Sequence, residues 1–160
     1  MPPHFFDIHA HLNLSAFDDD RIAVLERMRE RGVWSIQVGT DQKSSQGAAM
    51  MASFIEEGVY ASIGVHPTGS QDGRFFEHFF NELLVVPRIV AIGECGLDYS
   101  YFDEGGDALS EKARQKKLLE TQIDFATAHN LPLMLHIRDS DKSLADAHRD
   151  TLAILRQRKE

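Results

Sequence analysis

The chain has 160 residues, 42% of them hydrophobic, which is enough for one globular domain with a substantial core and argues against disorder as its main state. Its formal charge of −8 argues against tight binding to a polyanion through a basic face, although bound divalent cations would bring positive charge to a phosphate. The single cysteine, Cys95, excludes an internal disulfide, and since there is neither a signal peptide nor an apolar run of about 20 residues, we expect a soluble cytoplasmic protein without membrane contact.

Apolar, β-branched segments alternate along the chain with segments of helical periodicity. The first kind predicts five strands, at residues 5–11, 33–40, 59–67, 89–93 and 132–139. The second kind predicts five helices, which run from a cap at Asp18–Asp20 to Gly32, from a cap at Ser44 or Ser45 to Gly58, from Arg74 to Leu84, from a cap at Ser110 to Asn130, and from Leu144 to Leu155. Strand–helix units of about 30 residues are typical of βαβ crossovers.

Continuously apolar strands that alternate with helices predict an α/β fold with a parallel sheet buried on both faces. An open doubly wound sheet and a TIM-type (β/α)8 barrel both satisfy this pattern. The candidate site residues favour the barrel, because they lie at the carboxyl ends of separate strands, where barrel active sites occur. A complete barrel needs about 250 residues, so residues 1–160 are predicted to form a single partial domain, truncated after about five βα units.

Two histidines at the end of the first strand are the first sign of a metal site. Side chains two residues apart on a strand point to the same face, so His9 and His11 project together. Three or four ligands must converge on an ion, and the next strands that end in ligand residues carry Glu94 and His136. A solvated strand end for the histidine pair, and a surface carboxylate for Glu94, are the alternatives.

Three further polar residues lie beside these strand ends. Arg138 shares the face of His136 if the strand continues, where its guanidinium suits a phosphate oxygen; a salt bridge to Asp139 or Asp141 is the alternative. His66 either contacts substrate or a water molecule at a metal, or is a hydrogen-bonded turn residue before Pro67. Asp98 either orients a metal ligand or caps a loop.

Four segments in order carry a family signature. They are residues 6–11 (FDIHAH), 64–67 (GVHP), 92–99 (IGECGLDY) and 131–139 (LPLMLHIRD), and Gln115 and Gln122 fit the helix between the last two. Together they resemble the TatD-family metal-dependent deoxyribonucleases, over essentially the whole chain but only the N-terminal part of that family's fold.

The resemblance implies a TIM-type barrel that cleaves DNA phosphodiesters, often as a 3′–5′ exonuclease, with two divalent ions such as Mg²⁺, Mn²⁺ or Zn²⁺. By motif, His9 and His11 would bind one ion, Glu94 would bridge both and act in catalysis, and His136 would bind the second. His66, Asp98 and Arg138 would contact the substrate, DNA or another phosphodiester.

The chain departs from the family pattern, which continues with a histidine after the sixth strand and an aspartate after the eighth. An unclosed barrel would also expose its first and fifth strands, so self-association or a completing chain is expected. Two alternatives therefore stay open: an inactive fragment that binds metal or a partner, and a related hydrolase acting on an ester or C–N bond. Against many C–N hydrolases, Glu94 stands where they carry a bridging lysine carbamate.

Overall fold

The structure is a computed structural model that describes residues 2–55, 57–69, 74–100, 107–140 and 145–158. Strands and helices alternate through these ranges, as β1 (Phe5–Ala10), α1 (Arg21–Glu30), β2 (Val33–Val38), α2 (Gln42–Phe54), β3 (Val59–Ile63), α3 (Glu77–Leu83), β4 (Ile89–Asp98), α4 (Ala108–Ala128), β5 (Leu133–Arg138) and α5 (Asp146–Gln157), with a 3₁₀ turn at Ser15–Phe17. The predicted alternative ion pair with Asp141 and the predicted helix start at Leu144 lie outside the described residues.

All five strands form one parallel sheet in the order β1-β2-β3-β4-β5, curled into part of a barrel. The predicted α/β class and truncated TIM-type architecture are therefore confirmed. Helices α2, α3 and α4 pack on the outer face, and the core between them and the sheet includes Ile63, Phe80 and Ile92, all fully buried. None of the described helices is both long and apolar enough to cross a bilayer.

The two edge strands leave apolar side chains in solvent, as expected for an unclosed barrel. On β1, Phe5 is 68% and Ile8 65% exposed, and Leu135 on β5 is 37% exposed. In a closed barrel each of these strands would pair with a further neighbour. The edges are thus the part of the sheet that remains without a strand partner among the described residues.

Strand β4 is longer than predicted. The sequence indicated a strand that ends at Gly93, but β4 continues to Asp98, so Glu94 lies inside a strand rather than after one. The physical reason is a two-residue alternation in which Cys95, Leu97 and Tyr99 all reach the helix-facing core. Glycine has a low propensity for strands, and the buried alternation outweighs it here.

Three helix starts also differ from prediction. The N-cap of α2 is Asp41, whose carboxylate accepts the Ser44 amide at 2.7 Å while the Ser44 hydroxyl accepts the Asp41 amide at 3.0 Å. This reciprocal pair outcompetes a cap at Ser44 or Ser45. Helix α4 begins earlier than predicted because Asp107 accepts the amides of its first turn, and α3 begins at Glu77 rather than Arg74.

Candidate metal centre

Parallel strands bring their carboxyl ends to one edge of the sheet, and the predicted site residues meet there. His9 belongs to β1 and His11 follows it, His66 lies three residues beyond β3, and Glu94, Asp98 and His136 are on β4 and β5. The structure thus brings together six of the seven residues singled out in the sequence, through direct side-chain contacts.

Two irregularities in the strand pairing orient these side chains. Between Asp7 and Ala10 strand β1 carries one residue more than β2, and between Ile92 and Cys95 strand β4 carries one more than β5. An extra residue in one strand is a β-bulge, which turns the following side chain toward the other face. His9 and Glu94 lie within the two bulged segments and face one another.

The first group of donor atoms combines β1 with β4. His9 Nε2 lies 3.2 Å from His11 Nε2 and 3.3 Å from Glu94 Oε2. His11 Nδ1 is 3.2 Å from the Val38 carbonyl oxygen, which can only accept, so this nitrogen carries the proton and Nε2 presents a lone pair. Two imidazoles and a carboxylate oxygen thus converge on one point.

The second group uses the other oxygen of the same carboxylate. Glu94 Oε1 lies 3.0 Å from His136 Nδ1, and His136 Nε2 lies 3.0 Å from Asp98 Oδ2. Asp98 Oδ1 accepts the amide and the hydroxyl of Ser100 at 3.0 and 2.7 Å. Because both oxygens of Asp98 are engaged, its geometry supports the role of orienting His136.

The spacing of the donor atoms fits divalent ions. Two ligands bound to one ion at about 2.0–2.2 Å lie about 3 Å apart at right angles and about 3.3 Å or slightly more apart in a tetrahedron. The separations of 3.0–3.3 Å around Glu94 match these values. Donor atoms of His9, His11 and Glu94, and likewise of His66, Glu94 and His136, all lie within 4.8 Å of one another. Two groups that share Glu94 are therefore able to hold a metal.

The charges within the centre reinforce one another. Burial alone would raise the pKa of Glu94, but the hydrogen bond from His136 and the nearby His9 outweigh it and lower the pKa. Burial alone would also raise the pKa of Asp98, but hydrogen bonds from Ser100 and His136 outweigh burial and lower it. The pKa of His136 is raised by its hydrogen bond to Glu94, whereas burial and the neighbouring His136 lower that of His66.

Two buried glutamines of α4 hold the strand ends that carry the site. The Gln115 side chain bonds both the amide and the carbonyl of Asp98, at 2.8 and 3.0 Å. Gln122 bonds the amide and carbonyl of Val65 in the same way, at 2.8 and 2.9 Å. Both glutamines are fully buried. Their spacing of seven residues on an apolar helix face was visible in the sequence, where it identified the family helix but not this function.

Close backbone approach explains Gly96. It has φ +150°, and a Cβ there would overlap the carbonyl oxygen of His136 on the neighbouring strand. Only a residue without a side chain allows β5 to lie this close to β4 at the position of His136.

Arg138 stands apart from the contacts of the centre. Its side chain is exposed and forms no ion pair or hydrogen bond with any residue that the structure describes. The predicted alternative, a salt bridge to Asp139, is wrong because Asp139 pairs with His148 at 2.8 Å. A free guanidinium at the carboxyl end of β5 is thus available to an anionic ligand.

Comparison with known proteins agrees with this geometry. The family model described as TatD related DNase matches residues 6–160. A relative named 3′-5′ ssDNA/RNA exonuclease TatD, from Rahnella sp. (strain Y9602), is 35% identical over 88% of this chain and 52% of its own length. The uncharacterized metal-dependent hydrolase YabD of Bacillus subtilis (strain 168) is 37% identical over 87% of this chain and 52% of its own.

Among solved structures, the crystal structure of YJJV, a TATD homolog from Escherichia coli k12, superposes with a TM-score of 0.71 at 29% identity. The superposition covers 96% of this chain and 58% of the YJJV chain. The chain thus spans about half the length of the curated relatives it matches. On the family match and on these similarities, the chain belongs to the TatD family of metal-dependent hydrolases.

Proposed function

We propose that the chain carries the metal centre of a phosphodiesterase, a deoxyribonuclease that removes nucleotides from the 3′ end of DNA. The observation that carries this proposal is Glu94, whose two carboxylate oxygens face different imidazoles, His9 on one side and His136 on the other. A carboxylate shared in this way is suited to a pair of divalent ions about 4 Å apart. The name of the Rahnella relative supports the substrate class.

Each donor group has a distinct role. His9 and His11 would hold one ion with Glu94, and Glu94 and His136 would hold the second. Zn²⁺ suits the imidazole nitrogens, and Mg²⁺ and Mn²⁺ suit the carboxylate oxygens. When bound, two such ions supply water activation and charge neutralisation at a phosphate. With an ion bound, Asp98 would hold the proton of His136 on Nε2, so that Nδ1 would present a lone pair to the ion in place of its contact with Glu94. Asp98, predicted to contact substrate, is thus placed to position the ligand His136.

The substrate side is formed by Arg138. We propose that its exposed guanidinium binds a phosphate oxygen of the nucleic acid, in one or two hydrogen bonds. With a net charge of −8, the chain offers a polyanion no general attraction, so contact depends on this cation and on the bound ions. His66 was predicted to contact substrate as well, and its donor atoms lie within 4.8 Å of those of Glu94 and His136.

The open sheet edges indicate the kind of partner, and the single cysteine bears on the cellular location. We propose that the exposed β1 and β5 edges pair with another polypeptide, either a second copy or a chain that completes the barrel. We also propose a cytoplasmic location, where the thiol of Cys95 stays reduced.

The proposal is tested by incubating the purified chain with single-stranded DNA labelled at its 5′ end, with Mg²⁺ or Mn²⁺. We expect a ladder of products shortened from the 3′ end, abolished by a chelator and by Glu94→Ala, and retained by Glu82→Ala. Glu82 is an exposed helical glutamate paired with His78, so its loss is a matched control.

A folded, metal-loaded chain that leaves DNA intact would contradict the nuclease proposal and support an inactive, metal-binding fragment. Cleavage of a carboxylic ester or an amide, with DNA intact, would instead support the hydrolase of an ester or C–N bond. RNA and a small phosphodiester in parallel reactions define the substrate class.

A further inference from the structure

The second group of donors contains a histidine that the family motif does not use as a ligand. Around the first group, His9, His11 and Glu94 provide three protein donors. The residues assigned to the second ion are only Glu94 and His136, yet a donor atom of His66 lies within 4.8 Å of donor atoms of both. The rings of His66 and His136 are 4.2 Å apart between centroids.

The backbone of His66 is fixed from three sides. Its amide donates to the Thr40 carbonyl at 2.8 Å, and its carbonyl accepts the Gly69 amide at 3.0 Å. The preceding residue, Val65, is held by Gln122 through both of its backbone groups. A histidine on so constrained a turn is preorganised. Metal ligands need such preorganisation, because their donor atoms must be held close to one geometry.

The ring of His66 is oriented as well. Its Nδ1 lies 2.9 Å from the Thr68 hydroxyl and accepts the Thr68 backbone amide at 3.2 Å. A metal ion at Nε2 requires the ring proton on Nδ1, and the Thr68 hydroxyl is then the oxygen that would accept it. Ligating histidines commonly donate their second ring nitrogen to an oxygen in this way, as His11 does to Val38 in the first group.

We propose that His66 is the third protein ligand of the second metal ion, with Glu94 and His136, and that Thr68 positions its ring. This inference rests on the proposed metal-dependent function and deepens it. Each ion then has three protein donors, which is the number that catalytic zinc-type sites use while leaving positions open for substrate and water. The two groups become equivalent in ligand count, with Glu94 common to both.

The test is the number of ions bound by the full chain. Metal-free protein is titrated with Mn²⁺ and with Zn²⁺ by calorimetry, and the bound metal is counted by mass spectrometry after gel filtration. We expect two ions in the unsubstituted chain and one in His66→Gln after gel filtration, with the affinity for the second ion lowered by at least the roughly 10- to 100-fold that loss of an outer-shell partner alone causes. His78→Gln, at a 90% exposed histidine, is the control and should retain two ions.

Thr68 provides a second variant that does not remove the ring. Thr68→Val should weaken only the second ion, about tenfold, and Thr68→Ser should restore its affinity because the hydroxyl is retained. If His66→Gln does not fold by circular dichroism, this pair alone decides the question. Equal affinities for the second ion in Thr68→Val and the unsubstituted chain would overturn the inference.

The outcomes separate the inference from the proposed function. Two ions with unchanged affinity in folded His66→Gln, together with a raised KM for DNA, would overturn the ligand role and leave the predicted substrate contact. An unsubstituted chain that binds no ion would overturn the proposed function itself, and this inference with it.

Discussion

A single carboxylate, Glu94, joins the two groups of donor atoms. It is 7% exposed, and its two oxygens lie 3.3 and 3.0 Å from imidazole nitrogens on opposite neighbours, His9 and His136. A buried carboxylate without compensating charge is costly, and here imidazoles or metal ions provide that charge. This mutual dependence explains why the residues form one centre rather than several independent sites.

Gly96 sets the distance between the strands that hold Glu94 and His136. Gly96→Ala places a Cβ against the His136 carbonyl in a backbone conformation that alanine rarely adopts. We expect a loss of at least about 2 kcal/mol in the free energy of unfolding, measured by urea denaturation.

The matched control for Gly96→Ala is Gly47→Ala. Gly47 lies within α2, and an added Cβ there would meet only ordinary van der Waals contacts at 3.5 and 3.6 Å. Because alanine favours a helix, this variant should be about as stable as the unsubstituted chain or up to about 1 kcal/mol more stable. Equal destabilisation by both substitutions would contradict the role given to Gly96.

Residue types and strand-end positions allowed much of the site to be predicted. His9, His11, Glu94 and His136 followed from apolar runs that end in ligand residues, and the structure brings all four together. Thr68 and Ser100 were not predicted, because their contacts depend on the path of a turn two residues beyond each site residue. The conformation of such turns cannot be predicted from the periodicity of apolar residues.

At the scale of elements, α4 holds the site by means of amide side chains instead of apolar packing alone. Gln122→Met keeps the volume and apolar contact but leaves the amide and carbonyl of Val65 unpaired. Each unsatisfied buried group costs about 1–3 kcal/mol, so for two groups we expect a loss of roughly 2–6 kcal/mol in the free energy of unfolding. Gln46→Met, at an exposed residue of α2, is the control and should change the free energy of unfolding little. An equally small change in Gln122→Met would contradict the role of Gln122 in holding Val65.

Asp146 connects α5 to the rest of the fold. Its carboxylate accepts hydrogen bonds from Lys112 at 2.9 Å and from the Ser140 amide and hydroxyl at 3.0 and 2.9 Å. Burial alone would raise the pKa of Asp146, but these donors lower it well below its usual range. A carboxyl with a lowered pKa in the folded state stabilises the fold above its unfolded pKa of about 3.9, and this contribution is lost as pH falls toward the folded value.

Asp146→Asn should therefore lower the free energy of unfolding by about 1–3 kcal/mol at pH 7, and by progressively less as the pH falls below about 4. Urea denaturation of both proteins across this range provides the comparison. A difference that stays constant with pH would show that the charge of Asp146 does not contribute.

The elements themselves were predicted better than their ends. All five strands and five helices occur where the sequence indicated, because strand and helix periodicities differ clearly in this chain. The end of β4 was missed because glycines, here at 93 and 96, weaken a strand pattern, whereas in this sheet they allow close strand packing. The start of α2 was missed because serine and aspartate are both good caps, and only their reciprocal contact decides between them.

At the scale of the whole molecule, the open edges predict association. Phe5, 68% exposed on β1, should contribute to contacts between copies, and Phe5→Lys should lower the weight-average mass in sedimentation equilibrium. Association should increase with salt, because the net charge of −8 repels copies at low ionic strength. Phe54→Lys, at a 77% exposed residue at the end of α2, is the control and should leave the mass unchanged. A chain that is monomeric at every concentration and salt would contradict this prediction.

The architecture as a whole followed from the alternation of elements and from the position of the candidate ligands. What closes the sheet could not be predicted, since a strand of a closed barrel and an edge strand of an open sheet can have the same apolar pattern. Exposure of the first strand was expected for an unclosed barrel, but the side chains that are exposed on it, Phe5 and Ile8, were identified only from the structure.

The most direct test of the shared metal centre is anomalous diffraction from crystals grown with Mn²⁺. We predict two anomalous peaks about 3.5–4 Å apart, one on each side of Glu94, the first between His9 and His11 and the second beside His136 and His66. Crystals with ordered Glu94, His9 and His136 side chains but no anomalous peak within bonding distance of Glu94 would contradict the metal centre and the hydrolase chemistry proposed for it.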